Sequence, residues 1–239
     1  MRRILLACCG LLLFALPLLG SSTEVAPTEG AACPLSPTPP LTPDQLWAEV
    51  VAGNAVFVDG EVIYAGLRPL RRGMADWQAP PIAAVSCADS RVMPEVAFER
   101  TVGELFVTRV AGNVVGEFDV ASLEYAVYNG WTSLIVVMGH SDCGAMRAAM
   151  KPDDPRKPLT PALQALVREI RRSFTRDTPR TADPTPAQLR SATEANARFV
   201  AAQLRTKASD LLRGCVDGGL LEIVSAYYDT GSGKVERLD

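Results

Sequence analysis

Two cysteines and a histidine are placed where they could hold a metal ion. Cys87 and Cys143 offer thiolates, and His140, the only histidine in the chain, lies three residues before Cys143. Two thiolates and one imidazole form a borderline-soft donor set that suits Zn²⁺. Three protein ligands leave a fourth tetrahedral position for water, which is typical of catalytic zinc. The three residues therefore predict one catalytic Zn²⁺ per chain, although His-x-x-Cys alone would also fit a buried thiol beside a polar turn.

A carboxylate and a guanidinium follow closely after Cys87. Asp89 lies two residues beyond this cysteine, so its side chain can point at the metal position. Arg91 can bind that carboxylate through two parallel hydrogen bonds, and such a pair keeps the carboxylate ionised and oriented. We predict that Asp89 and Arg91 act in catalysis. An ordinary ion pair in a surface turn is the alternative.

Three continuous apolar runs predict the strands that would position these groups. They span residues 82–86, 105–110 and 134–138. Runs without polar alternation are typical of strands buried on both faces of a parallel sheet. Cys87 follows the first run and Gly139-His140 follows the third, and ligands of open α/β sheets bind at the carboxyl ends of the strands. We therefore expect Cys87 and His140 to meet at one edge of the sheet.

Helical patterns separate and follow these strands. Thr42-Pro43-Asp44 is typical of a helix start, and Asp119 is typical of a helix cap. Longer amphipathic helices are predicted over 161–174 and 186–204, a late strand over 220–228 and a final strand over 234–238. This alternation predicts an α/β protein with a mainly parallel central β-sheet flanked by helices and a late edge strand.

The first 22 residues have the layout of a secretory signal peptide. Arg2 and Arg3 precede an apolar run over 4–19, and small residues follow it at 20–22. The run is short for a spanning helix, which needs about 20 residues. We therefore expect export to the periplasm or the exterior, with an uncleaved or lipidated membrane anchor as the alternative. The proline-rich residues 23–43 predict an extended, mobile linker, and residues 44–239 form the expected domain.

Charge and cysteine content limit the partners and the cross-links. The 239 residues include 24 basic and 27 acidic side chains, and no basic stripe stands out. We therefore predict no nucleic-acid partner. Besides the two predicted ligands, the exported chain would keep two cysteines. Cys215 is expected to be a partly buried structural thiol, and a disulfide that joins Cys33 to it or to a neighbouring subunit is the alternative.

The motifs around the predicted ligands resemble the two signature segments of the β-class carbonic anhydrases. The two segments are Cys87-Ala88-Asp89-Ser90-Arg91-Val92 and Gly139-His140-Ser141-Asp142-Cys143-Gly144-Ala145, with further similarity over 103–113, 122–127, 227–229 and 233–235. The resemblance covers roughly residues 44–239. It implies the family's reaction, which is the reversible hydration of CO₂ to bicarbonate and a proton by zinc-bound hydroxide attack on CO₂.

The same resemblance implies roles for residues near the metal. Asp89, held by Arg91, would accept a hydrogen bond from the zinc-bound water. Gln78 would bind substrate across a dimer interface, with a solvated loop residue as the alternative interpretation. Gly144 would supply a backbone contact near the zinc.

A departure from the family pattern concerns regulation. Relatives that are regulated by bicarbonate in a non-catalytic pocket carry a tryptophan three residues before the first cysteine, where this chain has Ala84. The arginine that accompanies this tryptophan corresponds to Arg109. Because the tryptophan is missing, we expect a constitutively open zinc site.

The family fold also implies an N-terminal helical arm that embraces a partner subunit. We therefore expect a homodimer or a larger homo-oligomer, with Leu46, Trp47 and Val50 in the arm. Two other functions stay open. One is hydrolysis of carbonyl sulfide or carbon disulfide on the same fold. The other is a non-catalytic zinc-binding protein, in which a fourth protein ligand would close the site.

Overall fold

The computed structural model describes residues 33–61 and 67–239. The predicted signal peptide and the first part of the predicted linker lie outside these residues. None of the helices described within these two ranges combines the length and the apolar character that crossing a bilayer requires.

The described residues form one five-stranded sheet. Its strands are β1 (Ile82–Ser86), β2 (Leu105–Arg109), β3 (Leu134–His140), β4 (Glu222–Tyr228) and β5 (Val235–Arg237), in the spatial order β2-β1-β3-β4-β5. The first four strands are parallel, and β5 pairs antiparallel with the end of β4. The predicted strands and the α/β class are confirmed. The prediction of burial on both faces holds for β1 and β3 and is wrong for β2, which lies at the sheet edge and is mostly half-buried.

Helices cover both faces of this sheet. They are α1 (Pro43–Val58), α2 (Leu67–Gly73), α3 (Pro94–Ala97), α4 (Glu117–Tyr128), α5 (Gly144–Met150), α6 (Pro161–Arg171), α7 (Pro186–Thr206) and α8 (Asp210–Asp217), with a 3₁₀ turn at Ala111–Asn113. Successive side chains of β3 point to opposite faces, so Leu134 joins the core under α1 while Ile135 joins the core under α7. All seven residues of β3 are buried. Their burial on both faces explains the continuous apolar run.

The helix starts agree with the sequence at α1 and differ at α4. The Thr42 hydroxyl accepts a hydrogen bond from the Gln45 amide, and the Gln45 side chain accepts one from the Thr42 amide, which forms a capping box. The prediction that Asp119 caps α4 is wrong. Asp119 is the third residue of that helix, and its carboxylate accepts a hydrogen bond from the Gly116 amide at 2.9 Å. The carboxylate thus stabilises the same helix end from inside the first turn.

Helix α1 packs on its own chain. Leu46 and Val50 are fully buried in the core that lies between α1 and the sheet. Asn54, on the same buried side, donates to the main-chain oxygens of Ala97 and Gly233. Leu46, Trp47 and Val50 lie on the predicted N-terminal helix, and Leu46 and Val50 hold this helix on its own chain. The contact of this arm with a partner subunit stays a prediction.

A disulfide joins the N-terminal segment to α8. Cys33 and Cys215 are bonded across a sequence separation of 182 residues. Leu35 packs in the same core, where it is 6% exposed. The expectation of a free structural thiol at Cys215 is wrong, and the alternative pairing with Cys33 is the one found. The described end of the predicted mobile linker, from residue 33, is therefore anchored to the domain.

Removing this disulfide is expected to lower stability. A closed loop of this length restricts the conformations of the unfolded chain. Loss of such a bond lowers the free energy of unfolding by about 2–5 kcal/mol. We expect a C33S/C215S double variant to lose about 2–4 kcal/mol of unfolding free energy in urea, because part of residues 33–42 can fray in the folded state. A phosphine reductant should destabilise the wild type by the same amount and leave the double variant unchanged. Equal effects of the reductant on both proteins would contradict the prediction.

Candidate metal centre

The three predicted ligands meet at the carboxyl edge of the sheet. Strands β1 and β3 pair in parallel with Ser86 opposite Met138, so Cys87 follows one strand where His140 ends the other. The ligand atoms of Cys87, His140 and Cys143 all lie within 4.8 Å of one another, and all three side chains are buried. The predicted meeting of Cys87 and His140 at one sheet edge is confirmed.

The loop between His140 and Cys143 is shaped by its backbone. Asp142 adopts a left-handed conformation with φ of 52°, which aspartate tolerates better than most residues. The Ser141 amide donates to the Tyr228 carbonyl at 2.9 Å, which extends the β3–β4 pairing into the loop. Cys143 then precedes α5 as its N-cap residue. This tight reversal returns the Cys143 thiol to the side of His140.

Gly139 allows helix α7 to approach the end of β3. A Cβ atom at this position would lie 2.7 Å from Cγ2 of Thr193 and 3.3 Å from the Thr193 main-chain oxygen. The absence of a side chain thus lets α7 pack directly behind the histidine ligand. The sequence shows a glycine beside His140, but it does not show that a helix packs against this position.

The two ligand thiols influence each other strongly. A hydrogen bond from the Cys143 thiol lowers the pKa of Cys87 to about 4, despite the burial that opposes ionisation. The Gly112 amide also donates to the Cys87 sulfur at 3.2 Å. The neighbouring Cys87 thiolate and burial raise the pKa of Cys143. Burial and the neighbouring thiolate therefore disfavour a second thiolate here, and a bound cation would offset both effects.

His140 is oriented for metal binding. Its Nδ1 lies 2.9 Å from the Ser141 carbonyl oxygen, which can only accept, so Nδ1 carries the proton. Its Nε2 is buried and has no hydrogen-bond partner among the described residues. A neutral imidazole whose second nitrogen is held by a carbonyl is the usual form of a zinc ligand. The free Nε2 and the two sulfurs therefore fit Zn²⁺, with His140, Cys87 and Cys143 as its ligands.

Asp89 and Arg91 form the predicted bidentate pair beside these ligands. Nε and Nη2 of Arg91 donate to the two carboxylate oxygens of Asp89 at 2.9 and 2.8 Å, and the Arg91 amide donates to Oδ1 at 3.0 Å. Oδ2 of Asp89 lies 3.9 Å from Nε2 of His140. The Arg91 side chain holds the pKa of Asp89 well below its usual range. The carboxylate next to the metal position is therefore ionised at neutral pH.

Arg109 holds the main chain on which Cys87 and Asp89 lie. Its Nε donates to the Cys87 carbonyl at 3.1 Å, and its Nη2 donates to the Asp89 carbonyl at 2.7 Å. From the sequence, Arg109 stands out only because it corresponds to an arginine of the regulatory bicarbonate pocket in some relatives. The structure gives it a direct contact with the ligand segment, so Arg109 fixes the turn that carries the carboxylate.

Gly112 and Asn196 are site residues that sequence reasoning missed. Gly112 has φ of 72°, which directs its amide at the Cys87 sulfur, and a Cβ there would lie 2.7 Å from Ile170. Asn196 of α7 is fully buried and donates to the Gly112 carbonyl at 2.8 Å. The glycine in Ala111-Gly112-Asn113 indicates a turn with an unusual backbone conformation. The sequence does not show that its amide contacts the Cys87 sulfur, because these residues meet only in the folded chain.

Gln78 and Gly144, the two predicted substrate-binding residues, do not lie among the metal ligands. Gln78 is exposed in the segment that precedes β1, whereas Cys87 follows the strand. A five-residue strand spans about 17 Å, and Gln78 enters it from the end opposite the metal centre of its own chain. Gly144 begins α5 beside Cys143, and a Cβ there would meet nothing within 4 Å in this chain. The predicted substrate contacts of both residues remain predictions.

Comparisons with known proteins agree with this site. The family model described as carbonic anhydrase matches residues 82–235. The carbonic anhydrase of Mycolicibacterium smegmatis is 32% identical over 202 residues, which cover 83% of this chain and 94% of that relative. Among solved structures, a Coccomyxa β-carbonic anhydrase in complex with acetazolamide is 25% identical, with a TM-score of 0.61 and 82% of each chain covered.

A second solved structure supports the fold. A tetrameric β-carbonic anhydrase of the filamentous ascomycete Sordaria macrospora is 22% identical, with a TM-score of 0.60, and the match covers 81% of this chain and 96% of that one. A parallel sheet with a Cys-His-Cys centre at its carboxyl edge defines a zinc enzyme of the α/β class. The chain belongs to the β-class carbonic anhydrases.

Proposed function

We propose that this carbonic anhydrase hydrates CO₂ at a zinc site that stays open, with Asp89 and Arg91 as its catalytic pair. The supporting observation is the bidentate contact between them, which directs Oδ2 of Asp89 to within 3.9 Å of the histidine ligand atom. The two hydrogen bonds from Arg91 hold the Asp89 carboxylate in place, with Oδ2 3.9 Å from Nε2 of His140, which supports a carboxylate that stays outside the coordination of the metal. The arrangement favours an enzyme over a closed, non-catalytic zinc site.

The charge of the ligand set explains why the pair is needed. When bound, Zn²⁺ acidifies a water molecule, so that hydroxide is available near neutral pH. Thiolates of Cys87 and Cys143 cancel the charge of the ion, which weakens this acidification relative to neutral ligands. Asp89 compensates by accepting a hydrogen bond at the metal position, and Arg91 keeps the carboxylate ionised and aimed there.

The direct test measures catalysis together with metal content. Purified protein that contains one zinc per chain should accelerate CO₂ hydration in stopped-flow measurements, and the metal-free protein should not. Carbonyl sulfide and carbon disulfide are assayed in parallel on the same sample. Release of sulfide without CO₂ hydration would overturn the proposal and favour the alternative substrates.

Proton release is expected to depend strongly on buffer. His140, the only histidine of the chain, is a metal ligand, so no imidazole side chain is free to carry protons to solvent. We expect kcat to rise severalfold as the concentration of a small buffer such as imidazole increases, because the buffer accepts the proton. The ratio kcat/KM for CO₂ should stay constant. A kcat that is the same in weak and strong buffer would contradict this prediction.

We further propose a homodimer or a larger homo-oligomer. Gln78 precedes β1 whereas Cys87 follows it, which supports the use of Gln78 by the metal centre of another chain. The described surface also exposes large apolar side chains, including Phe118, Tyr125 and Tyr128 on α4. One relative of known structure is tetrameric. Light scattering after gel filtration tests this proposal, and a monomer that has full activity would contradict it.

We propose that the protein is exported and that its oxidising compartment forms the Cys33–Cys215 disulfide. Such bonds persist outside the reducing cytoplasm, which supports the interpretation of residues 1–22 as a signal peptide. A fusion of residues 1–43 to a reporter that is active only after export tests the proposal. An inactive, cytoplasmic reporter would contradict it.

A further inference from the structure

Asp142 lies between two arginines at the outer side of the metal centre. Nη2 of Arg91 donates to the Asp142 main-chain oxygen at 3.2 Å, and Nη1 of Arg91 lies 3.9 Å from Oδ2 of the Asp142 carboxylate. On the other side, Arg147 of α5 forms a salt bridge with Oδ1 of the same carboxylate. The four side chains Asp89, Arg91, Asp142 and Arg147 thus form a row of alternating charge that begins at the metal position.

The row matters because Arg91 is half exposed. Its side chain is 48% accessible, whereas that of Asp89 is 17% accessible. An exposed ion pair alone gives little free energy, and long side chains leave such contacts readily. A second acceptor on the outer edge of the guanidinium restricts its rotation. Asp142 supplies this second acceptor from within the ligand loop itself.

The backbone fixes where Asp142 presents its two acceptors. Asp142 has a left-handed conformation, with φ of 52°, and its main-chain oxygen accepts the hydrogen bond from Arg91. Its carboxylate is held in place by Arg147, whose helix begins directly after the ligand Cys143. The position of Asp142 is therefore tied to the metal loop on one side and to α5 on the other.

We propose that Asp142, oriented by Arg147, is a positioning residue for catalysis: it holds the outer edge of Arg91 so that the inner edge stays bidentate on Asp89. Asp142 need not touch substrate. It acts by keeping Arg91 on both oxygens of Asp89, which keeps this carboxylate away from the fourth metal position. The proposal rests on the proposed role of Asp89 in CO₂ hydration.

The test replaces the Asp142 charge while keeping its backbone. D142N is expected to lower kcat about two- to fivefold, the range of couplings between exposed charged groups, with unchanged zinc content. R147M keeps Asp142 itself and should lower kcat in the same direction by a smaller factor. Because Arg147 lies outside the ligand loop, this variant tests the proposal even if D142N does not fold.

Cobalt substitution provides a readout that does not depend on turnover. Co²⁺ accepts the same ligands as Zn²⁺ and reports them in its visible absorption spectrum. In the wild type, thiocyanate should bind the open fourth position and change the spectrum. In D142N, a partly released Asp89 should compete for that position, so that about two- to fivefold more thiocyanate is needed for the same change. An identical titration in both proteins would overturn the proposal.

A double-mutant cycle separates positioning from general damage to the loop. If Asp142 acts through Arg91, D142N should have no further effect on kcat in an R91A background, whereas independent effects would multiply. Multiplying effects would overturn the proposal. The matched control is D153N, since Asp153 is an exposed aspartate that also lies beside two arginines, Arg171 and Arg180. It should retain wild-type kcat and the wild-type cobalt spectrum.

The outcome distinguishes this inference from the proposed function. If D89N lowers kcat strongly but D142N and R147M do not, the role of Asp89 stands and the positioning role of Asp142 is wrong. If D89N itself retains full activity, the proposed catalytic pair is wrong. If the zinc-loaded wild type does not hydrate CO₂ at all, the proposed function as a whole is wrong.

Discussion

D89N is expected to lower kcat for CO₂ hydration by about 10²- to 10³-fold, the scale of a lost catalytic acid–base group, while one zinc per chain remains bound. The substitution keeps the size of the side chain and removes its negative charge. The amide can no longer accept two hydrogen bonds from Arg91 in the observed geometry, nor attract a proton at the metal position. Stopped-flow rates and zinc analysis of the same sample measure the two parts of the prediction.

The chain offers a matched control for this variant. Asp154 and Arg156 repeat the Asp-x-Arg pattern, and both the amide and Nε of Arg156 donate to Asp154, at 2.9 and 3.2 Å. This pair lies in an exposed loop, where Arg156 is 89% accessible. D154N should therefore retain wild-type kcat. Similar losses in D89N and D154N would show that the effect is unrelated to the metal centre.

C143S is expected to abolish both zinc binding and activity. Serine is a hard, weakly acidic donor that replaces a thiolate poorly as a zinc ligand. The change would leave Cys87 and His140 as the only soft donors of the site. We expect less than about a tenth of an equivalent of zinc after dialysis, and CO₂ hydration at the background rate.

The disulfide cysteines serve as the control for C143S. Neither Cys33 nor Cys215 belongs to the ligand group, since their sulfur atoms are bonded to each other. The C33S/C215S variant should be less stable and yet keep one zinc and its activity per zinc. A stoichiometric zinc content in C143S would contradict the assigned ligand set, even if its activity were low.

Much of the metal centre is predictable from the sequence because strand ends are predictable. The apolar runs before Cys87 and His140 fix two parallel strands, and parallel strands end at the same edge. The local spacing Asp-x-Arg likewise fixes the pair of Asp89 and Arg91, because residues two apart can meet within one turn. These features depend on short-range sequence and on a simple rule of sheet topology.

Other parts of the site depend on contacts between distant residues. The contact of the Gly112 amide with the Cys87 sulfur depends on the pairing of β1 with β2, and Asn196 reaches Gly112 from α7. The burial of Leu46 within its own chain depends on how α1 docks on the sheet. The Cys33–Cys215 bond joins segments that no local pattern relates. Periodicity and motif spacing contain no information about such pairings.

The disulfide closes nearly the whole described chain into a covalent ring. Residues 33 to 215 lie within that ring, together with all three metal ligands and the exposed loop around Lys151 to Pro158. A protease that cut this loop once would open the ring without separating the two pieces. One piece would contain Cys87 and Cys143, and the other would contain α7. The two pieces would stay joined through Cys33 and Cys215 until a reductant broke the disulfide. A single cut would therefore leave a nicked but connected protein, whose fragments separate in gel electrophoresis only after reduction.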